Sequence, residues 1–178
     1  LPAFGALPFI IGAPGLTFTD AYFEAMSGLT TTGTTVIPAL DDLPPGTNMW
    51  RAILQWLGGL GIIIVAMIFL PVMKVGGMQF FRSEGFDTLG KILPRAMDIS
   101  TALIRIYVGL TVICGLVYAA LGMTTFDAIV HALTTLSTGG FSNYDASFAR
   151  YSGPAEYAAS VFMLLAAMMF VVLTRINV

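Results

Sequence analysis

Two short stretches rich in threonine and glycine contain the residues best suited to chemistry in this sequence. They are Thr31-Thr32-Gly33 and Thr138-Gly139-Gly140. A dehydrating cation needs several oxygens to replace its water, and consecutive backbone carbonyls supply them, together with threonine hydroxyls. Glycine tolerates the unusual backbone angles that such a loop requires. Each stretch alone is also compatible with an ordinary turn, so the prediction of a cation site depends on where the two lie.

The two stretches are corresponding parts of an internal repeat. A shift of 107 residues, which carries Thr31 onto Thr138, aligns residues 17–33 with residues 124–140 without a gap. Identical pairs in this window include Asp20 and Asp127, Ala21 and Ala128, Ala25 and Ala132, Leu29 and Leu136, and Gly33 and Gly140. Self-similarity at a fixed spacing indicates a repeated structural unit. Two copies at equivalent positions of the repeat favour parts of one functional site over two unrelated turns.

A short helix is predicted before each Thr/Gly stretch. Asp20 and Asp127 are suitable N-cap residues, because a side-chain oxygen can accept from an unpaired backbone N–H. The roughly 11 residues that follow make about 16 Å of helix, which crosses only about half of a bilayer's hydrocarbon layer. The chain must then turn back, and irregular backbone at that depth has to be buried in protein or line a watery cavity. The pattern therefore predicts re-entrant pore loops, each entered from a helix whose C-terminal end favours a cation.

Composition places the chain in a membrane. It is 57% hydrophobic and 10% charged, with a mean hydropathy of +0.86, whereas soluble domains carry about a quarter charged residues. The net charge of −2 excludes a basic surface for nucleic acid. The single cysteine, Cys114, can form no internal disulfide. The chain lacks a Ser/His/Asp order, paired carboxylates and a phosphate-binding loop in a plausible site, which argues against an enzyme.

Three apolar segments are predicted to cross the bilayer: Ile53–Met73, Ile106–Met123 and Tyr157–Leu173. Residues 1–12 are too short to cross and are expected to be the end of a further span, so the chain is expected to be a piece of a longer protein. The predicted units are a first repeat at 1–73, a cytoplasmic linker at 74–98 and a second repeat at 99–178. Small residues at Gly58 and Gly59 predict close helix packing within a span.

Loop charges predict the orientation. Basic residues concentrate on one side of the predicted spans, at Lys74, Arg82, Lys91, Arg95, Arg105 and Arg175. This side is assigned to the cytoplasm by the positive-inside rule, which leaves the Thr/Gly loops facing outward. The outer side carries Arg51 and Arg150 against the acids Asp20, Glu24, Asp41, Asp42, Asp127, Asp145 and Glu156. Such a side can concentrate cations, and ordinary solvated loops are the alternative.

Glu24 and His131 occupy the same repeat position, one turn into the two short helices. Ionisable residues within a membrane suggest function, and an acid/base or proton-relay pair is one interpretation. Because both lie near the outer surface, exposure or structural packing is the alternative interpretation.

At these residues the sequence resembles the Trk/Ktr/HKT superfamily of potassium transporters, and most closely a bacterial Trk-type uptake subunit. The resemblance lies in residues 23–33, in 54–61 (Leu-Gln-Trp-Leu-Gly-Gly-Leu-Gly), in 76–79 (Gly-Gly-Met-Gln) and in 131–142. It implies an all-α integral membrane fold in which repeated helix–re-entrant pore helix–helix units surround a central ion pore. It also implies that Thr31, Thr32, Gly33, Thr138, Gly139 and Gly140 form part of a potassium selectivity filter.

By the same resemblance, the complete pore has four repeats, of which this chain holds most of the first and all of the second. The family's gating loop and the other half of the filter are absent from the chain. The resemblance further implies potassium as the bound ion, a homodimer in the bacterial inner membrane, and a cytoplasmic nucleotide-binding regulatory subunit. In related proteins a serine at the position of Gly33 accompanies sodium permeation, so Gly33 favours potassium.

Two other functions remain open from the sequence. One is a sodium- or proton-coupled secondary cation transporter that binds its ion at a broken helix near the midplane. The other is a purely structural membrane subunit. The sequence does not decide between potassium alone and mixed potassium and sodium permeation.

Overall fold

The computed structural model describes the backbone of residues 1–73 and 88–176, and the side chains of residues 1–61 and 101–168. The described residues form helices and loops without strands, which confirms the all-α prediction. In chain order the α-helices are α1 (Pro2–Ile11), α2 (Phe18–Leu29), α3 (Pro45–Met73), α4 (Thr88–Ala120), α5 (Thr125–Leu136) and α6 (Pro154–Ile176). Short 3-10 helices lie at Leu40–Asp42 and Ser147–Tyr151.

The helices form two units of the same design. In the first, α2 packs between α1 and α3, and in the second, α5 packs against both α4 and α6. The short helices α2 and α5 have 12 residues each, and both their ends are related by the 107-residue shift. Each unit has its own apolar core, one around Ala6, Phe9 and Leu54, the other around Tyr107 and Tyr118.

Helix α3 joins the two units, because it packs against both short helices. A Cβ atom at Gly58 would lie 2.2 Å from the carbonyl oxygen of Leu29, at the end of α2. A Cβ atom at Gly59 would lie 3.0 Å from the Cβ of Ser137, just beyond α5. The predicted close packing at these glycines is confirmed: they let the C-terminal ends of both short helices approach one long helix.

One of the three predicted spans coincides with a helix that is long and apolar enough to cross a membrane. Within the described ranges, the segment Thr101–Ala120 of α4 is long and apolar enough to cross a bilayer. Helix α4 ends at Ala120, three residues before the predicted end at Met123, and φ is +97° at Gly122 in the turn that follows. The other predicted spans lie within α3 and α6. Residues 88–98 of the predicted linker belong to α4, whereas 74–87, with Lys74, Arg82 and the Gly-Gly-Met-Gln motif, and 177–178 lie outside the described residues.

Candidate cation-binding site

The two short helices begin in the same way. Thr17 caps α2 and Thr124 caps α5, and each hydroxyl oxygen accepts from a backbone N–H three residues later at 3.2 Å. The donors are Asp20 and Asp127, whose carboxylates in turn accept from the threonine hydroxyls at 2.8 and 2.6 Å. The prediction that Asp20 and Asp127 are the N-caps was therefore wrong by one turn. A Thr-x-x-Asp sequence forms a reciprocal capping pair in which the threonine is the cap.

The two short helices also end in the same way. Beyond α2, the Thr31 N–H donates to the Gly28 carbonyl and the Thr32 N–H donates to the Ser27 carbonyl, both at 2.9 Å. The equivalent bonds beyond α5 are 3.0 Å long and run from Thr138 to Thr135 and from Gly139 to Thr134. This pair of bonds defines the Schellman motif, which satisfies carbonyls at the helix end and turns the chain sharply. Each Thr/Gly stretch is therefore held against the partly negative end of its own helix.

Threonine occupies a strained position in both motifs. Thr31 and Thr138 have φ values of +54° and +52°, where the Schellman motif usually has glycine. A left-handed backbone is a genuine outlier for a β-branched residue and costs about 1–3 kcal/mol. Gly33 and Gly140, two residues later, also have positive φ, at +79° and +83°. Unusual backbone angles were predicted at the glycines and not at the threonines. Two copies of the same strain point to a use for the threonine side chain.

The two Thr/Gly stretches meet in space. A Cβ atom at Gly33 would lie 1.9 Å from the carbonyl oxygen of Gly139, so only glycine allows this approach. Gly139 is buried, and a Cβ atom there would lie 2.1 Å from the side-chain Cδ of Gln55. A Cβ atom at Gly140 would meet nothing within 4 Å. The structure thus brings the two predicted filter stretches together, and each glycine serves a different geometric need.

An open face of this site carries hydroxyl oxygens. Thr32, Thr138 and Gly140 are exposed. The Thr138 hydroxyl donates to the Ser137 carbonyl at 2.7 Å, which leaves its oxygen lone pairs available. Thr32 Oγ1 lies 2.8 Å from Thr30 Oγ1, and because Thr30 donates to the Met26 carbonyl, Thr32 is the donor of that pair. The hydroxyl protons of Thr32 and Thr138 are both donated within the chain, so the lone pairs of both oxygens can coordinate a cation.

A buried ion pair lies behind the site. Arg51 Nε donates to Glu24 Oε1 at 2.8 Å, and their side chains are 1% and 0% exposed. The Glu24 carboxylate also accepts from Thr35 Oγ1 and from the Val36 backbone N–H. Arg51 Nη1 donates to the Ser142 carbonyl at 3.0 Å. The pair therefore connects the first short helix to the segment that follows the second Thr/Gly stretch. These two charges neutralise each other in the interior, so counting them as outer-surface charges was wrong.

His131 has the corresponding place in the second unit. Its Nδ1 lies 2.9 Å from the Asp127 carbonyl oxygen and its Nε2 lies 3.2 Å from Ser142 Oγ. Ser142 follows Thr35 by the repeat distance, so in each unit a hydroxyl after the Thr/Gly stretch contacts the residue at this helix position. Both Glu24 and His131 are fully buried. The structure therefore supports packing over exposure for them, and each contributes to holding the returning chain against its short helix.

Asp127 anchors the outer loop of the second unit. Its carboxylate accepts from Asn143 Nδ2 at 2.7 Å, Tyr144 Oη at 3.0 Å and Tyr151 Oη at 2.6 Å. Burial, followed by the hydrogen bond to Asp127, raises the pKa of the Tyr151 phenol above its ordinary value. Neither this cluster nor the roles of Arg51 and Gln55 were predicted from the sequence. The available signal was two polar side chains, Arg51 just before the apolar predicted span and Gln55 within it.

The comparisons with known proteins agree with one another. The family model described as "TrkH: Cation transport protein" matches residues 4–177. The chain is 44% identical, over 98% of its length, to the Trk system potassium uptake protein TrkI of Halomonas elongata, and covers 36% of that protein. It is 46% identical over 93% of its length to the potassium uptake protein TrkH of Escherichia coli K12, and covers 35% of it.

A solved structure has the same fold. The crystal structure of the potassium transporter TrkH from Vibrio parahaemolyticus matches with a TM-score of 0.75 and 40% sequence identity. The match covers 93% of this chain and 32% of that one, so the chain spans about a third of the length of its relatives. The family model covers nearly the whole chain, and its description as a cation transport protein agrees with the expectation of a transporter and not an enzyme. The chain belongs to the TrkH family of cation transport proteins.

Proposed function

We propose that this chain contributes to potassium uptake across a membrane, as part of a pore built from four similar units. In this proposal Thr31, Thr32, Gly33, Thr138, Gly139 and Gly140 line a selectivity filter and bind potassium through backbone carbonyls and threonine hydroxyls. The relatives named as potassium uptake proteins support the choice of ion. Because the chain spans about a third of them, the activity is that of the full-length protein.

The observation that carries this proposal is the duplicated, strained and touching pair of Thr/Gly stretches. Each stretch leaves a helix end through a left-handed threonine. The C-terminal end of that helix carries a partial negative charge and lies beside the loop. The contact between Gly33 and the Gly139 carbonyl brings backbone oxygens from two units to one place. Several oxygens around one ion are what a dehydrated cation requires.

The same contact makes ion preference sensitive to the residue at position 33. Any side chain at Gly33 would place its Cβ 1.9 Å from the Gly139 carbonyl, so the two stretches would have to move apart. A serine at this position would therefore change the spacing of the coordinating oxygens. Ion preference depends on the spacing, number and field strength of such oxygens.

The test compares three glycine-to-alanine variants of the full-length protein in liposomes. Gly33→Ala combines positive φ with a steric clash, and Gly140→Ala has positive φ in open space. Gly122→Ala is the matched control, because Gly122 also has positive φ and open space but lies at the end of α4. The expected loss of potassium over sodium preference is largest for Gly33, smaller for Gly140 and absent for Gly122. Unchanged preference in both filter variants would refute the assignment.

The setting proposed for this activity is the bacterial inner membrane, with the Thr/Gly loops outward and the basic segment around Lys91 and Arg95 in the cytoplasm. A homodimer and a cytoplasmic nucleotide-binding regulatory subunit complete the proposal. Labelling of an introduced cysteine at the exposed Asp42 by an impermeant reagent added outside intact cells tests the orientation. Protection of that cysteine from the reagent would indicate the opposite orientation.

A further inference from the structure

The buried amide of Gln55 lies between the two Thr/Gly stretches. Gln55 belongs to α3, and its side chain is 0% exposed. Its Oε1 accepts from the backbone N–H of Phe141, the residue directly after Gly140, at 3.1 Å. A Cβ atom at Gly139 would lie 2.1 Å from its Cδ, and a Cβ atom at Gly33 would lie 3.6 Å from its Nε2. One side chain therefore occupies the space beside both Gly33 and Gly139 and is hydrogen-bonded to the residue that follows the second stretch.

The other end of the amide is unsatisfied. Gln55 Nε2 is a buried donor without a hydrogen-bond partner among the described residues. A buried donor that finds no partner costs free energy, so apolar residues are usually preferred where nothing accepts. Replacing this glutamine with an apolar side chain would remove that cost but would leave the Phe141 N–H without its acceptor. The glutamine is therefore explained by what its oxygen holds and by the space that its amide occupies.

Arg51 supports the same segment from one turn earlier on α3. Its Nη1 donates to the Ser142 carbonyl, and its guanidinium lies 4.2 Å from the centre of the Phe141 ring. The second unit has no such pair: the positions 107 residues later are Ala158 and Phe162. Arg51 and Gln55, here called the polar bracket, thus connect α3 of the first unit to Phe141 and Ser142 of the second. The second unit makes no equivalent connection from positions 158 and 162.

We propose that Gln55 is a positioning residue that determines ion preference by setting the separation of the two Thr/Gly stretches. This inference rests on the proposed filter function and adds to it a residue outside the filter. Gln55 acts through the backbone: its oxygen holds the Phe141 N–H, and its amide plane blocks the approach of Gly139. If the bracket is lost, the second stretch shifts, and the spacing of its carbonyls relative to Gly33 changes.

The test measures uptake of potassium, rubidium and sodium by the full-length protein in liposomes. Gln55→Met removes the acceptor at nearly constant volume. The unsatisfied Phe141 N–H is then expected to lower the potassium to sodium ratio at least several-fold and at most roughly 150-fold, the factor that corresponds to the full cost of one buried unpaired donor. Gln55→Asn, one methylene shorter, is expected to lower it less. Gln55→Glu keeps an acceptor for Phe141 and is expected to retain more of the preference than Gln55→Met. Leu57→Met, at an exposed position of the same helix, is the matched control.

The uptake ratio separates positioning from a merely structural role. A fall in rate or in protein yield with an unchanged ratio, in whichever of the Met and Asn variants folds, would overturn the inference. Gly33→Ala is measured in parallel. If it changes the ratio and the Gln55 variants do not, the filter stands and the inference fails. If none of these variants changes the ratio and Gly140→Ala does not change it either, the proposed filter itself is wrong.

Discussion

Replacing Glu24 with glutamine tests how the buried ion pair contributes to the structure. The change keeps the volume and one acceptor oxygen, so Thr35 or the Val36 N–H can still be satisfied. It removes the negative charge opposite Arg51, whose side chain is 1% exposed. It also places an amide N–H₂ against a guanidinium N–H, so two donors face each other.

The expected cost is large because the pair is buried. An exposed ion pair contributes about 0–1 kcal/mol, whereas breaking a buried pair by removing one partner costs about 3–5 kcal/mol. Arg51 keeps its hydrogen bond to the Ser142 carbonyl at 3.0 Å and a longer one to Asn48 Oδ1 at 3.3 Å. Neither of these neutral acceptors carries a full charge. We therefore expect Glu24→Gln to lower the free energy of unfolding by about 3 kcal/mol or more.

The assay is denaturant unfolding of the full-length protein in detergent, with the free energy taken from the midpoint and slope. Glu156→Gln is the matched control, because Glu156 is an exposed carboxylate in the first turn of α6 and is expected to change stability by about 0.5 kcal/mol or less. The double variant Glu24→Gln/Arg51→Met should be less destabilised than the sum of its single changes, since it leaves no uncompensated charge. A cost below about 1 kcal/mol for Glu24→Gln, or strict additivity in the double variant, would refute this account.

Two further substitutions test the strained turns and the close packing. Thr138→Gly removes a left-handed β-branched residue and should stabilise the fold by about 1 kcal/mol. It should also weaken potassium binding, because a hydroxyl is lost. Thermal stability measured with and without potassium checks both effects, and unchanged potassium-dependent stabilisation would argue against a role for the hydroxyl. Gly58→Ala places a methyl group 2.2 Å from the Leu29 carbonyl oxygen and should destabilise the fold by about 1–3 kcal/mol. Gly61→Ala, where a Cβ meets nothing within 4 Å, is the control in the same unfolding assay. Equal effects of the two substitutions would contradict the close packing at Gly58.

Local sequence patterns predicted much of the fold. The excess of apolar residues indicated lipid, and the 107-residue repeat located two short helices whose ends the structure places at equivalent residues. The position of each cap was missed by three residues, because both threonine and aspartate suit an N-cap and only the hydrogen bonds show which residue takes that place. Left-handed threonines were missed because propensity assigns such angles to glycine, and the Schellman bonds override that preference.

The sequence by itself determined the membrane class and the repeat and predicted the six Thr/Gly residues as cation ligands, because hydropathy, capping and loop chemistry depend on residues near one another in the chain. Only the tertiary structure decided that Gly33 meets Gly139 and that Gln55 and Arg51 hold the residues directly after the second stretch. Those contacts join residues 86 and 91 positions apart, Gln55 with Phe141 and Arg51 with Ser142. They exist because Gly58 and Gly59 let both short helices approach α3, and no local pattern specifies which side chains then face each other across that contact.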